Sequence, residues 1–205
     1  MQNYLLLLIS IYMYSFSALG QAVLVEEKGR AVGPSVRYKS ESKSTLNSAD
    51  FKYKRKVGVG ISAAGASGLI GANLELNFTP ETSFSTSFGL ADNFQTFGFS
   101  IKKSISGKYF APYIAGGFTR WYTVTDEGPF TESSPGFLAE KFLSAKEKQE
   151  GQFAETLIYP ALGIQYLQLD GEWAGSSIYA EVLMLIDIDD FKSAPTGGVG
   201  YLYYF

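Results

Sequence analysis

Three aspartates within four residues, Asp187, Asp189 and Asp190, form the densest acidic cluster of the chain. Carboxylate oxygens are hard ligands, so such a cluster could hold Ca²⁺ or bridge divalent ions to phosphate groups. The spacing lacks the glycine and terminal Glu of an EF-hand loop, and the cluster reads as a solvated acidic strand end with no metal assigned. Other chemistry is limited by what is missing. The 205 residues contain no histidine and no cysteine. That removes the usual base near neutral pH, the Ser–His and Cys–His nucleophile pairs, and any thiol or disulfide chemistry. Serines and lysines are present, but no spacing singles out a Ser–Lys pair. The chain is therefore expected to be non-enzymatic, with no catalytic residues and no cofactor.

A second set of charged residues sits inside alternating segments. Lys56, Glu75, Lys102 and Glu181 each share a face with Gly, Ser, Asn or Tyr, opposite a largely apolar face. They are expected to meet as a charge network in an enclosed polar interior. A two-residue hairpin turn at Gly65-Ala66 would set Lys56 directly across from Glu75. Buried charges are tolerable only when paired, so the network reads as structural filling; a gated ion path is the alternative.

The elements that must position these residues are strands. From about Phe51 onward, eight segments alternate in polarity with period two: 51–64, 67–78, 82–91, 95–104, 109–124, 155–168, 177–187 and 195–205. One face carries Phe, Ile, Leu and Val throughout, for example Phe84, Phe88 and Leu90, or Ile178, Val182 and Met184. The other carries Gly, Ser, Asn, Tyr and charge. A soluble barrel of the lipocalin kind reverses this polarity, keeping its apolar face inside. A polar filling within an apolar shell predicts an all-β, eight-stranded antiparallel up-and-down barrel that crosses a membrane. Eight strands are filled by their own side chains, so no constitutive pore is expected.

The flanks agree. Residues 1–20 contain the uncharged stretch Tyr4–Leu19 with small Ala18 and Gly20 behind it, as in a cleaved secretory signal. Residues 21–50 show no sustained periodicity and read as a flexible leader. Over 21–55 there are eight Lys/Arg and four Asp/Glu, a balance of +4, against nine and sixteen, or −7, over 56–205. With both ends of the barrel on the periplasmic side, the links at 79–81, 105–108 and 169–176 face the periplasm and are short. The long 125–154 link then faces outward. Within it, Phe137, Leu138, Lys141 and Phe142 recur at helical steps with Ala145 and Lys148, predicting a short amphipathic helix over 135–150. Such a helix could form a partner-binding surface or pack on the barrel rim. Basic residues confined to a short exported segment, without a binding fold, do not suggest nucleic acid.

The final strand, with Tyr201, Tyr203 and Phe205 on one face, resembles the terminal strand of bacterial outer-membrane barrels, whose last aromatic serves in assembly. With strand number and loop parity, the chain over about 51–205 resembles small barrels of the OmpA/OmpX kind. The resemblance implies a bacterial outer-membrane location, contact with outer-membrane lipid and lipopolysaccharide, and handling by the barrel-assembly machinery. It implies a structural or surface-interaction role with a surface or envelope protein partner. A narrow ion or solute barrel, porin-like in function, and a lipid-modifying enzyme are the other classes; the missing histidine disfavours the last.

Overall fold

A computed structural model describes residues 47–124, 129 and 137–205. The expected signal segment 1–20 and leader residues 21–46 lie outside the described residues. All of the described residues belong to the compact unit Ser42–Phe205.

Eight strands are present among the described residues: β1 (Val57–Ala64), β2 (Ile70–Asn77), β3 (Thr82–Leu90), β4 (Gln95–Ser104), β5 (Phe110–Tyr122), β6 (Ala154–Leu167), β7 (Ser176–Asp187) and β8 (Ser193–Tyr204). Each pairs antiparallel with its sequence neighbours, and β8 returns to pair with β1, closing the barrel. Closure leaves no unpaired sheet edge. The expected alternation is observed. Ile61, Ile70, Phe88, Ile101, Ile114, Leu162, Val182 and Val199 all point outward. Outside β3 to β5, rings form a continuous surface: Phe84–Phe99 and Phe99–Phe118 stack at 5.7 Å between centroids, and Phe97 meets Phe99 edge-on at 4.6 Å. Links β2–β3, β4–β5 and β6–β7 lie at one end, the short-turn end; the β5–β6 link lies at the other, the long-loop end.

Two expectations at the start of the barrel are corrected. Residues 51–54 are not strand, and 48–50 are not leader; Ser48–Lys54 form helix α1. Asn47 caps it by accepting the Asp50 amide at 2.8 Å, the N-terminal device that satisfies an otherwise orphaned donor. Phe51 and Tyr53 alternate as a strand would, yet in the helix Phe51 turns inward and Tyr53 outward. The β1–β2 link is also longer than two residues. Gly65–Ser67 form a 3₁₀ turn, and the Ala64 amide closes the hairpin on the Leu69 carbonyl at 3.0 Å. Ala64, Gly65 and Gly68 have positive φ angles there. The register consequently shifts by two: Glu75 lies opposite Gly58, not Lys56. A two-residue shift preserves which face each side chain occupies.

Candidate functional site

The barrel interior is organised around Glu75. Its inward position on β2 leaves the carboxylate wholly buried. It accepts Lys102 Nζ from β4 at 2.7 Å and Lys52 Nζ from α1 at 3.2 Å. The Tyr204 hydroxyl on β8 donates to it at 2.8 Å. Lys52 also donates to Gln165 Oε1 at 2.6 Å, and Gln165 Nε2 donates to the Tyr204 hydroxyl and to Ser177 Oγ, each at 2.7 Å. One polar cluster thus joins α1 to β2, β4, β6, β7 and β8. Above it, Lys102 lies 4.5 Å from the Tyr113 ring centre and 5.1 Å from that of Tyr179. The Tyr113 hydroxyl donates to Glu181 Oε2 at 2.8 Å. These rings lie flat because they cover glycines: a Cβ on Gly163 would stand 2.3 Å from Tyr113, and one on Gly200 2.5 Å from Tyr179.

Glu75, Lys102 and Glu181 therefore occupy the interior expected of them. Lys56 does not. It is exposed beyond the end of α1, 5.4 Å from the Tyr53 ring centre, because the helix turns the chain before β1 begins. Lys52 fills the place assigned to it. With Lys52 in the set, two lysines and two glutamates lie together in the barrel interior, while Glu155 and Asp187 are buried nearer the long-loop end. The overlooked signal was Asn47 with Asp50 three residues on, a helix-start spacing.

Helix α1 closes the short-turn end. Ser48 donates both its amide and its hydroxyl to the Gly107 carbonyl, at 3.0 and 2.8 Å. Arg55 Nη1 donates to the carbonyls of Ala174 and Tyr204 at 2.8 and 3.0 Å. Phe51 enters an apolar cluster with Leu167, Leu169, Leu202 and Tyr204.

The long loop closes the opposite end. Leu138, Phe142 and Leu143 sit with Phe94, Trp121, Phe153, Leu157 and Leu185 in a second apolar cluster. Trp121 is fully buried, stacks on Phe94 at 5.1 Å and donates its indole N–H to the Ala66 carbonyl at 3.1 Å. The single amphipathic helix expected over 135–150 is instead two pieces. Leu138–Phe142 form a π-type turn, and Ala145–Glu150 form α2, whose capping box joins Ser144 and Glu147. Of the predicted loop set, Leu138 and Phe142 are buried, Phe137 is half-buried against Trp121 and Phe142, and Lys141 is exposed. Residues 125–128 and 130–136 of the expected outer loop lie outside the described residues.

Between the two closures remains a cavity of about 40 Å³, lined by Asn73, Ser85, Ser87, Ser100, Lys102 and Glu181 among others. Such a space holds about three waters, not a passing solute. The acidic cluster at the β7–β8 link is spent on local structure. The Asp189 amide donates to Asp187 Oδ1 at 2.9 Å, and Lys192 pairs with Asp190 at 2.6 Å, which holds the Lys192 ammonium above its ordinary value. Asp187 is buried, so the solvated reading holds for Asp189 and Asp190 alone. Among the described residues no group of three or more acidic side chains is placed to hold a metal ion. Tyr201 and Phe205 point outward, with Tyr203 ringed edge-on to Phe205 at 5.1 Å.

A closed eight-stranded up-and-down barrel with an apolar outside and a polar, charged inside is the architecture of the small outer-membrane barrels. The N-terminal β-barrel domain of Pseudomonas aeruginosa OprF superposes with a TM-score of 0.51 at 11% identity, over 74% of this chain and 98% of that one. The Yersinia pestis outer membrane protein Ail, whose backbone is known in a phospholipid bilayer nanodisc, aligns with a TM-score of 0.38 at 14% identity, over 73% and 97%. The first likeness supports the fold. No family model matches the sequence, and no curated protein matches it.

Proposed function

We propose that this chain is a non-enzymatic β-barrel of the bacterial outer membrane, with a structural or surface-interaction role rather than a transport one. The observation that carries this reading is the double closure of the lumen. Helix α1 is bolted into one mouth through Lys52 and Arg55, and Leu138, Phe142 and Leu143 fill the other. A transport barrel needs a continuous polar path, and the remaining cavity of about 40 Å³ is too small to form one. The outward apolar belt supports lipid contact, since exposing such a surface to water is costly. Tyr201, Tyr203 and Phe205 would be read by the barrel-assembly machinery. The half-buried and buried part of the loop anchors it, while Glu140, Lys141, Lys146 and Glu150 face solvent. That mixed-charge surface is where a surface or envelope protein or lipopolysaccharide would engage.

The test joins gel migration with electrical recording. Membrane-extracted protein should run fast unboiled and shift on heating, and the same preparation in a planar bilayer should show no stable conductance. Large, steady conductance would replace this reading with transport; recovery of the protein as a soluble periplasmic species would remove the membrane from it.

A further inference from the structure

The outer wall at the short-turn end carries a crevice of about 560 Å³ that the lumen chemistry does not use. Tyr166, Ile178 and Tyr201 form one row across β6, β7 and β8, as the register pairs Tyr166 with Ile178 and Ile178 with Tyr201. All three belong to the outward face. The β6–β7 turn borders the same crevice with Asp170, Glu172 and Trp173. This turn is well fixed. The Gly175 amide donates to the Gln168 carbonyl and the Gln168 amide to the Ser176 carbonyl, each at 2.8 Å, with positive φ at Gly171 and Gly175. Trp173 is 72% exposed despite that order.

Two features define what fits. The floor is apolar and aromatic, continuous with the outward belt. The rim bears two carboxylates, Asp170 and Glu172, neither of which has an ion-pair partner among the described residues, and no lysine or arginine lines the crevice. The occupant must bring an acyl chain and a cation on one molecule, at the level where a membrane passes from chain to head group. We infer that the crevice seats a phospholipid with a phosphoethanolamine head group. Its primary ammonium meets Asp170 and Glu172, and its chain lies along Tyr166, Ile178 and Tyr201. A primary ammonium donates hydrogen bonds to carboxylates; a quaternary choline cannot. An anionic head group would be repelled. The inference rests on the membrane reading above.

Trp173 makes the site measurable, because the other tryptophan, Trp121, is sealed in the interior. The full chain is reconstituted in phosphatidylcholine bilayers containing equal, low mole fractions of brominated-chain phosphatidylethanolamine, phosphatidylcholine or phosphatidylglycerol. Brominated phosphatidylethanolamine should quench Trp173 as though enriched about two- to fivefold around it, the range an exposed ion pair gives. Asp170→Asn/Glu172→Gln should abolish the preference while leaving quenching by phosphatidylcholine unchanged. Equal quenching by phosphatidylethanolamine and phosphatidylcholine in the wild type would overturn the lipid site, as would a preference that survives the double substitution. Absence of quenching by any brominated lipid would overturn the membrane reading with it.

Discussion

Replacing Glu75 by Gln tests the interior most directly. The glutamine keeps the shape and one acceptor oxygen but removes the negative charge that touches both Lys52 and Lys102. Both ammonium groups are buried, so water cannot take over. Removing one partner of a buried ion pair costs about 3–5 kcal/mol, and here one deletion strands two cations. The upper part of that range, about 4–5 kcal/mol, is expected. Lys52→Met should cost less. It retains the apolar stem and leaves Glu75 with Lys102 and Tyr204, so its loss is that of the hydrogen bonds to Glu75 and Gln165, about 1–3 kcal/mol. Combining the two leaves one lysine unmatched instead of two. The double variant should therefore be more stable than the sum of the single effects predicts, by about 1 kcal/mol or more. Reversible urea unfolding in lipid vesicles, followed by tryptophan emission, measures all three. If Lys52→Met proves as harmful as Glu75→Gln, or if the effects simply add, the shared-carboxylate account is refuted.

Two further outcomes separate the closures. Phe51→Ala should release α1 without opening the barrel. Losing a buried phenyl costs about 3 kcal/mol, so hydrogen exchange at Phe51–Arg55 should quicken roughly a hundredfold while strand amides stay protected. Phe142→Ala should lower stability by about 3–5 kcal/mol and shift Trp121 emission to the red, whereas Lys141→Ala stays within about 0.5 kcal/mol; urea midpoints and emission spectra check both.

Much of the barrel was legible because lipid and lumen impose opposite demands on alternate residues, and period two is read directly from sequence. Glu75, Lys102 and Glu181 were inward on that parity alone. Parity carries no information on register, which depends on turn conformation. The positive φ values of Ala64, Gly65 and Gly68 lengthen the first hairpin and move Gly58 into the place assigned to Lys56. Nor does parity exclude a single helical turn: Phe51 and Tyr53 share a face if extended, but α1 sets them on opposite sides, one buried and one exposed. The loop failed differently. Helical spacing groups Lys141 with Leu138 and Phe142, but the break at Leu143–Ser144 and the π-type turn rotate Lys141 away. The crevice beside Trp173 joins residues on three strands and one turn, a juxtaposition that exists only after closure.

The cluster around Glu75 also bears on how the barrel is completed. Its members come from α1, β2, β4, β6, β7 and β8, and the β1–β8 pairing joins residues as far apart as Gly58 and Tyr204. Contacts so distant along the chain form late and slowly. Until they form, Glu75 lacks the Tyr204 hydroxyl and Lys52 lacks Gln165, so the buried charges of a partly zipped sheet are left short of hydrogen bonds. An open or slipped intermediate is thereby penalised from within, and the final pairing is made cooperative. Arg55, reaching from just before β1 to the carbonyl of Tyr204, acts in this sense as a latch that can engage only when the first and last strands have met in the correct register.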